Sequence, residues 1–221
     1  MFYPLNLLDI NKRIFPLFGN QLKGKPYIFD FSSKSKNIEE YMVKKFDVFQ
    51  KNVFDELKLN NAEWGIGRYL EERKKILSMF PQFLKEGRFY HLGLDIIVPA
   101  DFYLFAPIDA KVYKTDMDGG FRNYGGYIVL KHKIEGTIFY SFYGHLKTKF
   151  LVKEGDIIKQ GEKFAQIGER GDSGEWFTHT HLQILTQKAI DENLMTKGYI
   201  SEEKLKNIEE YFPSPYFLFS Y

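Results

Sequence analysis

The sequence predicts a mainly β protein with an antiparallel core and an α-helical N-terminal extension. Up to about residue 88, apolar residues recur at helical spacing. From residue 89 onward, short runs of β-branched and aromatic residues are separated by glycines and charged turns. Of the 221 residues, 44% are hydrophobic and 18% are aromatic, which favours an ordered globular core over a disordered chain. We therefore divide the chain into an N-terminal arm and helical extension, residues 1–88, and a β domain, residues 89–221, that ends with a short helix.

Charge and cysteine content exclude several classes of function. The chain has 31 basic and 29 acidic residues, a net charge of +2, so no overall field favours binding to nucleic acid or to an anionic membrane. It has no cysteine, which removes disulfides, thiolate metal sites and cysteine nucleophiles. Any metal must therefore be bound by nitrogen and oxygen.

The start of the sequence does not resemble an export signal. Met1–Asp9 has no basic segment and no apolar run, and no stretch of the chain approaches the roughly 18 apolar residues that a membrane span needs. From these features alone we expect a cytoplasmic protein without a membrane span. The sequence leaves the oligomeric state unknown.

The extension is predicted to contain an arm followed by a first helix. Prolines interrupt residues 1–36, where only Tyr27–Phe31 resembles a strand. The spacing of apolar residues then predicts an amphipathic helix over residues 37–58, with Asn37 as its cap. The apolar positions that define this helix are Met42, Phe46, Phe49, Val53 and Leu57.

A second helix is predicted over residues 69–80, ending before Pro81. The charge run Glu71-Glu-Arg-Lys-Lys75 falls within it. We interpret this run as the solvated face of the helix.

The β domain is predicted to contain at least six strands, followed by a short helix over residues 202–211. The β-type runs are residues 93–98, 111–113, 127–134, 137–143, 164–167 and 179–185. Tight turns at Gly155-Asp156 and Gly161-Glu162 are typical of a chain that folds between short antiparallel strands.

Four of the five histidines lie in three short motifs of this β segment. These motifs are His91-Leu-Gly-Leu-Asp95, Gly144-His145 and His179-Thr-His181. Histidine and aspartate are difficult to bury unless they are paired, and a divalent metal is a common partner that can use several of them at once.

The spacing within two of the motifs has geometric consequences. His179 and His181 are two positions apart in a strand, so both side chains leave the same face with Cα atoms about 6.6 Å apart. In a straight strand His91 and Asp95 would be about 13 Å apart, too far for one ion with ligand bonds of about 2.0–2.2 Å. We therefore expect a bend at Gly93 that brings them together.

Histidine and carboxylate ligands without thiolates suit a catalytic zinc site, in which three protein groups leave a fourth position for water. Because four histidines and Asp95 exceed three ligands, we expect two histidines to transfer protons beside the metal, and His145 is a candidate. His132 lies on the apolar face of its strand and is expected to be structural. Each motif alone also fits a hydrogen-bonded structural histidine, and it is their coincidence in one β segment that favours the metal site.

The order and context of these motifs resemble the lysostaphin/LytM-type family of zinc metallopeptidases, which cut peptide cross-links in bacterial cell walls. The resemblance extends from about residue 89 to residue 186. It includes His91–Asp95, Ala106–Val112, Asn123–Leu130, Tyr143–Leu146, the two glycine turns, Ile167-Gly168 and His179–Gln183.

The resemblance implies a β-sandwich-like antiparallel core of the duplicated hybrid motif type. It also implies that His91, Asp95 and His181 bind zinc and that His145 and His179 are the catalytic pair. The implied activity is that of a zinc metalloendopeptidase, which hydrolyses peptide bonds in peptidoglycan cross-links or related peptides with a water that the zinc activates. Such enzymes act in the periplasm or at the cell surface, in contrast to the cytoplasmic expectation above.

The resemblance also suggests how the substrate groove is formed. Tyr124 is expected to line it. The loop Glu169–Phe177 carries the bulky Trp176 and Phe177 before the first histidine of the pair, and these are expected to narrow the groove while the N-terminal helices cover it.

Two alternative functions remain open. A LytM-like protein without hydrolytic activity could serve in binding or regulation. Alternatively, Ala106–Val112 and Val152–Ile167 resemble the turn-rich halves of carrier domains and of sugar phosphotransfer domains. That second alternative requires an acyl-bearing lysine or a phosphoryl-accepting histidine on a tight hairpin, and no such lysine is evident.

Overall fold

The computed structural model describes residues 14–221. The first part of the predicted arm, and the segment that bears on export, lie outside the described residues. Among residues 14–221 no helix is both long and apolar enough to cross a membrane.

The described residues contain twelve strands and five α-helices. The strands are β1 (Tyr27–Ile28), β2 (Gly65–Gly67), β3 (Tyr90–His91), β4 (Leu94–Ile97), β5 (Tyr103–Phe105), β6 (Ala110–Asp118), β7 (Gly125–Ile134), β8 (Thr137–Leu146), β9 (Ile157–Ile158), β10 (Lys163–Gln166), β11 (His179–Leu185) and β12 (Tyr199–Ile200). The helices are α1 (Ile38–Tyr41), α2 (Phe46–Leu59), α3 (Lys74–Leu77), α4 (Pro81–Glu86) and α5 (Gln187–Asp191). Two 3₁₀ segments follow, Glu202–Glu210 and Pro215–Leu218, and the first of them replaces the predicted C-terminal helix.

One eight-stranded sheet organises the fold, in the order β1-β2-β4-β11-β8-β7-β6-β9. Within it only the β1–β2 pair is parallel, and the other neighbours are antiparallel. Two small antiparallel sheets, β10–β5 and β12–β3, complete the described strands. The prediction of a mainly β, antiparallel fold with a helical N-terminal region is confirmed.

The strand pattern of the sequence identifies the central strands well. β7 and β8 are joined by the two-residue turn Glu135-Gly136, in which both residues have positive φ, 46° and 84°. This is the turn geometry whose twist matches that of a two-stranded antiparallel ribbon. Leu130 of β7, Tyr143 of β8 and Leu182 of β11 then belong to the same apolar core.

The first predicted helix is interrupted. Instead of one helix over residues 37–58, the chain forms α1 and α2 with a break between them, and Asn37 makes no side-chain capping bond. The carbonyl groups of Val43 and Lys44 in the break accept hydrogen bonds from Nη2 of Arg122, at 3.3 and 3.2 Å. A distant side chain therefore satisfies carbonyls that a continuous helix would have used.

The second predicted helix, over residues 69–80, is wrong for its first half. Backbone bonds join Leu70 N to the His91 carbonyl at 2.7 Å and Arg73 N to the Phe89 carbonyl at 2.8 Å, so this stretch is extended beside β3. Only α3 is helical, and Pro81 begins α4. The interpretation of the charge run as a solvated face is also wrong, because Glu71 and Arg73 are buried.

The extension and the β domain share a core. β1 and β2 extend the main sheet beside β4, and aromatic residues of the extension pack against residues that follow residue 89. For example, Phe49 of α2 contacts Phe177 with ring centroids 4.9 Å apart. The division at residue 88 stays a prediction, and the contacts across it are extensive.

The buried His132 should make the stability of the protein depend on pH. Its Nδ1 donates to the Asp109 carbonyl at 3.1 Å, its Nε2 lies 2.7 Å from the Ser141 hydroxyl, and burial lowers its pKa from 6.5 to about 4. Between about pH 6.5 and 4, His132 therefore binds a proton in the unfolded chain but not in the folded chain. We expect the free energy of unfolding to fall by up to about 3 kcal/mol between pH 6.5 and 4 from this residue.

Urea unfolding at a series of pH values, compared with His132→Gln, measures this contribution. The variant lacks the titrating ring, so its stability should decline less steeply over that range. Parallel pH profiles for the two proteins would show that His132 does not contribute in this way.

Candidate metal centre and active site

The site begins with a row of residues across the main sheet. Asp95 of β4 lies directly opposite His181 of β11, which in turn lies opposite Gly144 of β8. On the other side of Asp95, β2 contributes Gly67. Opposite residues of antiparallel strands have Cβ atoms about 4.5–5.5 Å apart, so strand register alone places the carboxylate beside the imidazole.

His91 joins this pair through a break in its strand. The chain bends at Gly93, between β3 and β4, as the sequence predicts. The bend brings Nε2 of His91 within 3.1 Å of Oδ1 of Asp95 and 3.0 Å of Nδ1 of His181. The remaining distance, from His181 Nδ1 to Asp95 Oδ1, is 3.2 Å.

These three atoms have the spacing of ligands around one small metal ion. Tetrahedral ligands at bond lengths of about 2.0–2.1 Å lie about 3.3–3.4 Å from one another, so a slight expansion of the observed triangle accommodates an ion. The relative exposures of His91, Asp95 and His181 are 0%, 2% and 2%, which means that water does not surround the group. The three residues form one candidate metal-binding group.

Hydrogen bonds on the far side of each ring indicate which nitrogen carries the proton. Nδ1 of His91 lies 2.8 Å from the Arg68 carbonyl, and Nε2 of His181 lies 2.8 Å from Oε1 of Gln183. Both partners are acceptors, so each of these nitrogens holds a proton. The opposite nitrogens therefore present lone pairs to each other and to Asp95. Such convergence in a dry interior is repulsive unless a cation lies among them, and this donor set fits a divalent metal.

Arg73 and Glu71 form a second layer of charge that the sequence analysis missed. Nη1 of Arg73 is 2.7 Å from Oδ2 of Asp95, and its Nε is 2.9 Å from Oε2 of Glu71. Burial alone would raise the pKa of Asp95, but the neighbouring His91 and the positive charge of the Arg73 guanidinium outweigh it and hold that pKa well below its usual range. Asp95 thus stays ionised and keeps Oδ1 available. Only three residues separate the segment Trp64–Gly67 from the charge run that begins at Glu71. No periodic pattern in this stretch indicates that Glu71 and Arg73 are buried beside Asp95.

The two glycines of the row provide space above the sheet. A Cβ at Gly67 would lie 2.8 Å from Nη2 of Arg73, and a Cβ at Gly144 would lie 2.5 Å from the ring of Tyr124. Tyr124 thereby reaches His181, with its hydroxyl 3.1 Å from Nε2, and lines the site as expected. The absence of side chains at Gly67 and Gly144 allows Arg73 to contact Asp95 and Tyr124 to contact His181 directly.

His145 and His179 lie beside the three converging residues. Their ring centroids are 4.2 Å apart, and Nε2 of His179 is 3.4 Å from Oδ1 of Asp95. Their Nδ1 atoms lie 3.0 Å from the Ser173 carbonyl and 2.6 Å from the Phe177 carbonyl. Each Nδ1 therefore holds the proton, and each Nε2 is the basic atom.

A local backbone conformation directs His145 toward the site. Its φ is 61°, in the left-handed region that non-glycine residues adopt at a cost of about 1–3 kcal/mol. Tyr143 and Leu146 both belong to the core on the opposite face, although strict alternation would separate them. The left-handed residue breaks the alternation and turns the imidazole of His145 to the same face as His179.

Burial keeps the key groups uncharged. Burial, with the charge of Arg73, lowers the pKa of His91 to about 3. Burial and the charge of His179 lower the pKa of His145 well below its usual value, and burial raises that of Tyr124 well above. At neutral pH the imidazoles of His91 and His145 are therefore neutral, and the phenol of Tyr124 is a hydrogen-bond donor.

A cavity of about 210 Å³ opens on these residues and gives a ligand access to them. Trp176 and Phe177 form part of its wall and pack against Phe49 and Phe80 of the extension. Tyr199 lies near the metal group, with its ring centroid 5.4 Å from that of His91. The expectation that the bulky loop and the N-terminal helices narrow the groove agrees with this wall.

All five residues predicted for the site lie together, and His132 lies elsewhere in the sheet. The sheet brings two histidines and an aspartate to one point, with two further imidazoles beside them. This arrangement is that of a candidate metallohydrolase. Residues 89–192 match the sequence model of Peptidase family M23, and this part of the chain is a Peptidase M23 domain.

Individual relatives cover parts of the chain. A protein of Haemophilus influenzae described as an uncharacterized metalloprotease is 36% identical over 125 residues, which are 54% of this chain and 25% of that protein. The chain thus spans about a quarter of this relative's length. A zinc containing peptidase from Vibrio cholerae is 28% identical and has a TM-score of 0.37, with 43% of this chain and 27% of that chain covered. The catalytic domain of lysostaphin from Staphylococcus simulans is 26% identical, with a TM-score of 0.35 and coverages of 43% and 67%.

Gly93 provides a test of the geometry. A Cβ at this position would lie 2.6 Å from the His181 ring and 2.6 Å from the Leu182 carbonyl. We expect Gly93→Ala to displace His181, to lower the free energy of unfolding by about 1–3 kcal/mol and to weaken binding of a divalent metal by about tenfold or more. Competition with a chromophoric chelator measures the affinity.

Gly119→Ala is the matched control, since a Cβ there meets nothing within 4 Å. It should leave metal affinity unchanged. If Gly93→Ala also binds metal with wild-type affinity, the close approach of Gly93 to His181 does not position the ligand.

Proposed function

We propose that the chain is a zinc metalloendopeptidase. The observation that supports this most strongly is the convergence of three lone-pair donors, 3.0–3.2 Å apart, beside the imidazoles of His145 and His179. In this proposal His91 through Nε2, Asp95 through Oδ1 and His181 through Nδ1 hold the zinc. The all-nitrogen-and-oxygen donor set of three protein ligands is typical of catalytic zinc sites.

When bound, the ion supplies Lewis-acid chemistry: it lowers the pKa of water toward neutrality and polarises a carbonyl group. His145 and His179 carry out the proton transfers. As the water oxygen attacks the carbonyl carbon, one imidazole Nε2 accepts the water proton. The first imidazole, now protonated at Nε2, can pass that proton to the amide nitrogen as the carbon–nitrogen bond breaks. The other imidazole takes the role of donor to the developing oxyanion or to the amide nitrogen in the form that carries a proton on Nε2.

The buried hydrogen bonds around the site support these roles. Arg68 and Gln183 hold the ligand rings in the required tautomers, and the Ser173 and Phe177 carbonyls do the same for the catalytic pair. Arg73 keeps Asp95 ionised from the side opposite the ion. The chain's own interactions therefore arrange the ligands and bases before a metal binds.

The proposed substrates are peptides in peptidoglycan cross-links or related peptides. This part of the proposal rests on the order of motifs shared with the lysostaphin/LytM-type family and on the Peptidase M23 domain. The metalloprotease description of the Haemophilus relative agrees with a peptide-hydrolysing role. Such a substrate places the site of action in the periplasm or at the cell surface. We further propose that residues 89–221 form the peptidase unit and that the helices of the N-terminal extension cover its groove.

Metal content tests the proposed ligands. The full chain should bind one zinc ion per molecule, and His181→Ala and Asp95→Ala should each abolish stoichiometric binding, because two remaining ligands hold zinc weakly. Elemental analysis after dialysis measures the content, and thermal unfolding with and without zinc gives an independent measure of binding. His132→Ala is the control, because that histidine is buried outside the site. A variant of His181 or Asp95 that retains one zinc would remove that residue from the ligand set.

Hydrolysis tests the catalytic pair. His145→Ala should retain zinc and lose hydrolysis by about 10²–10⁴-fold, since it removes a proton-transfer group without removing a ligand. The zinc-loaded protein and the variant are incubated with peptidoglycan fragments and with glycine-rich and D-amino-acid peptides, and mass spectrometry identifies the products.

The outcomes separate the competing functions. New amine and carboxyl termini in the products of the wild-type reaction would support the peptidase. If the protein binds zinc but cuts none of these substrates, a binding or regulatory role becomes the better account. Loss of zinc from His145→Ala would contradict the separation of ligands from catalytic residues.

A further inference from the structure

The wall of the active-site cavity has an excess of positive charge. Arg88, Arg122 and Lys197 line it in addition to the ion-paired Arg73. Of the two acidic residues in the same wall, Asp95 is paired with Arg73, and Asp118 accepts a hydrogen bond from Asn123. The wall therefore holds four cationic side chains and two carboxylates.

Arg122 gives this wall a buried charge without a counter-ion. It is 2% exposed, and among the described residues no carboxylate lies within 4 Å of its guanidinium. Its hydrogen bonds go to backbone carbonyls, including the Glu175 carbonyl at 2.6 Å, and aromatic rings surround it, with Trp176 at 4.6 Å. Because no salt bridge within residues 14–221 holds Arg122, its buried charge adds to the positive potential of the adjoining cavity.

Arg88 has hydrogen-bonding capacity to spare. Its Nε lies 2.8 Å from Oε2 of Glu86 but is not directed at that oxygen, so the buried N–H makes no hydrogen bond. Its only hydrogen bond within the described chain runs from Nη2 to Oε1 of Glu86, at 3.4 Å. Lys197 shares the same carboxylate, with Nζ 3.4 Å from Oε2. One acid thus serves two cations, and both cations retain free donors.

These two cations stand where the active-site cavity meets a larger one. Arg88, Lys197 and Tyr199 line both the cavity at the histidines and a neighbouring cavity of about 630 Å³. A peptide that extends from His145 and His179 into the larger cavity therefore passes alongside Arg88 and Lys197. Phe83 supports this passage by stacking under Arg88, with the guanidinium 5.1 Å from its ring centroid.

We propose that Arg88 and Lys197 form a carboxylate-binding subsite that selects acidic peptides for the active site. The proposal rests on the proposed peptidase function. An arginine fork and an ammonium group can bind one carboxylate with several charge-assisted hydrogen bonds, and the potential of Arg122 adds to its attraction. The preferred substrate carries a carboxylate on the side of the scissile bond that enters the larger cavity.

Binding of matched peptides to the zinc-loaded full chain tests the subsite. The probes are acetylated and amidated pentapeptides of glycine and D-alanine with one glutamate, and the same set with glutamine, so that each pair differs by one charge. Isothermal titration calorimetry measures the dissociation constants. We expect the glutamate peptides to bind about tenfold more tightly than the glutamine peptides, and Arg88→Gln and Lys197→Gln each to reduce this ratio severalfold.

Lys85→Gln is the matched control, because Lys85 is exposed on α4, next to Glu86, and lies in neither cavity wall. It removes the same charge and should retain the wild-type ratio. Circular dichroism of each variant establishes that it is folded. If Arg88→Gln does not fold, Lys197→Gln still tests the subsite, because Lys197 is partly exposed. Equal or absent binding of the glutamate set, or an undiminished ratio in the folded variants, would overturn the subsite.

Hydrolysis of the same peptides distinguishes this proposal from the one on which it rests. A glutamate preference in binding without any cleavage would support the subsite and count against the peptidase. Cleavage of both sets with equal kcat/KM and equal affinity would support the peptidase and overturn the subsite.

Discussion

The structure around the site depends on the charge balance of one buried carboxylate. Asp95 presents Oδ2 to Arg73 and Oδ1 to His91 and His181, at 2.7, 3.1 and 3.2 Å. An isolated buried carboxylate would take up a proton, because desolvation disfavours its charge. The guanidinium keeps it ionised, and the two imidazole lone pairs that share Oδ1 then require a cation. The same constraint explains why Glu71 is buried, since it neutralises the arginine.

This charge balance makes the extension part of the site. Arg73 and Glu71 precede residue 89, and Arg68 in the same stretch fixes the tautomer of His91 through its carbonyl. The aromatic residues of α2 and α4 pack against the loop that positions His179. A peptidase unit cut at residue 88 would expose Asp95 without its counter-ion. For this reason residues 68–73 of the extension stabilise the arrangement of the site.

Local patterns predicted much of the fold and nearly all the candidate site residues. The β-type runs of the sequence located β4, β6, β7, β8, β10 and β11, and they missed the short strands β5 and β9. The two-residue spacing of His179 and His181 placed both imidazoles on one face, and the length of a straight strand from His91 to Asp95 required the bend at Gly93. By contrast, a helical period over residues 69–80 was misleading, because the backbone there pairs with β3 and its charged side chains turn inward.

The sequence by itself determined the ligand types, their order and the faces of the strands on which they lie, since these follow from residue chemistry and from the period of a strand. Only the tertiary structure decided which groups surround them. Arg73 and Asp95 are 22 positions apart in the chain, and Arg88 and Lys197 are 109 positions apart. The orientation of His145 depends on the left-handed backbone conformation of that one residue. Long-range electrostatic pairing leaves no periodic signal in a chain, because many alternative partners satisfy the same charge until the fold brings one of them within reach.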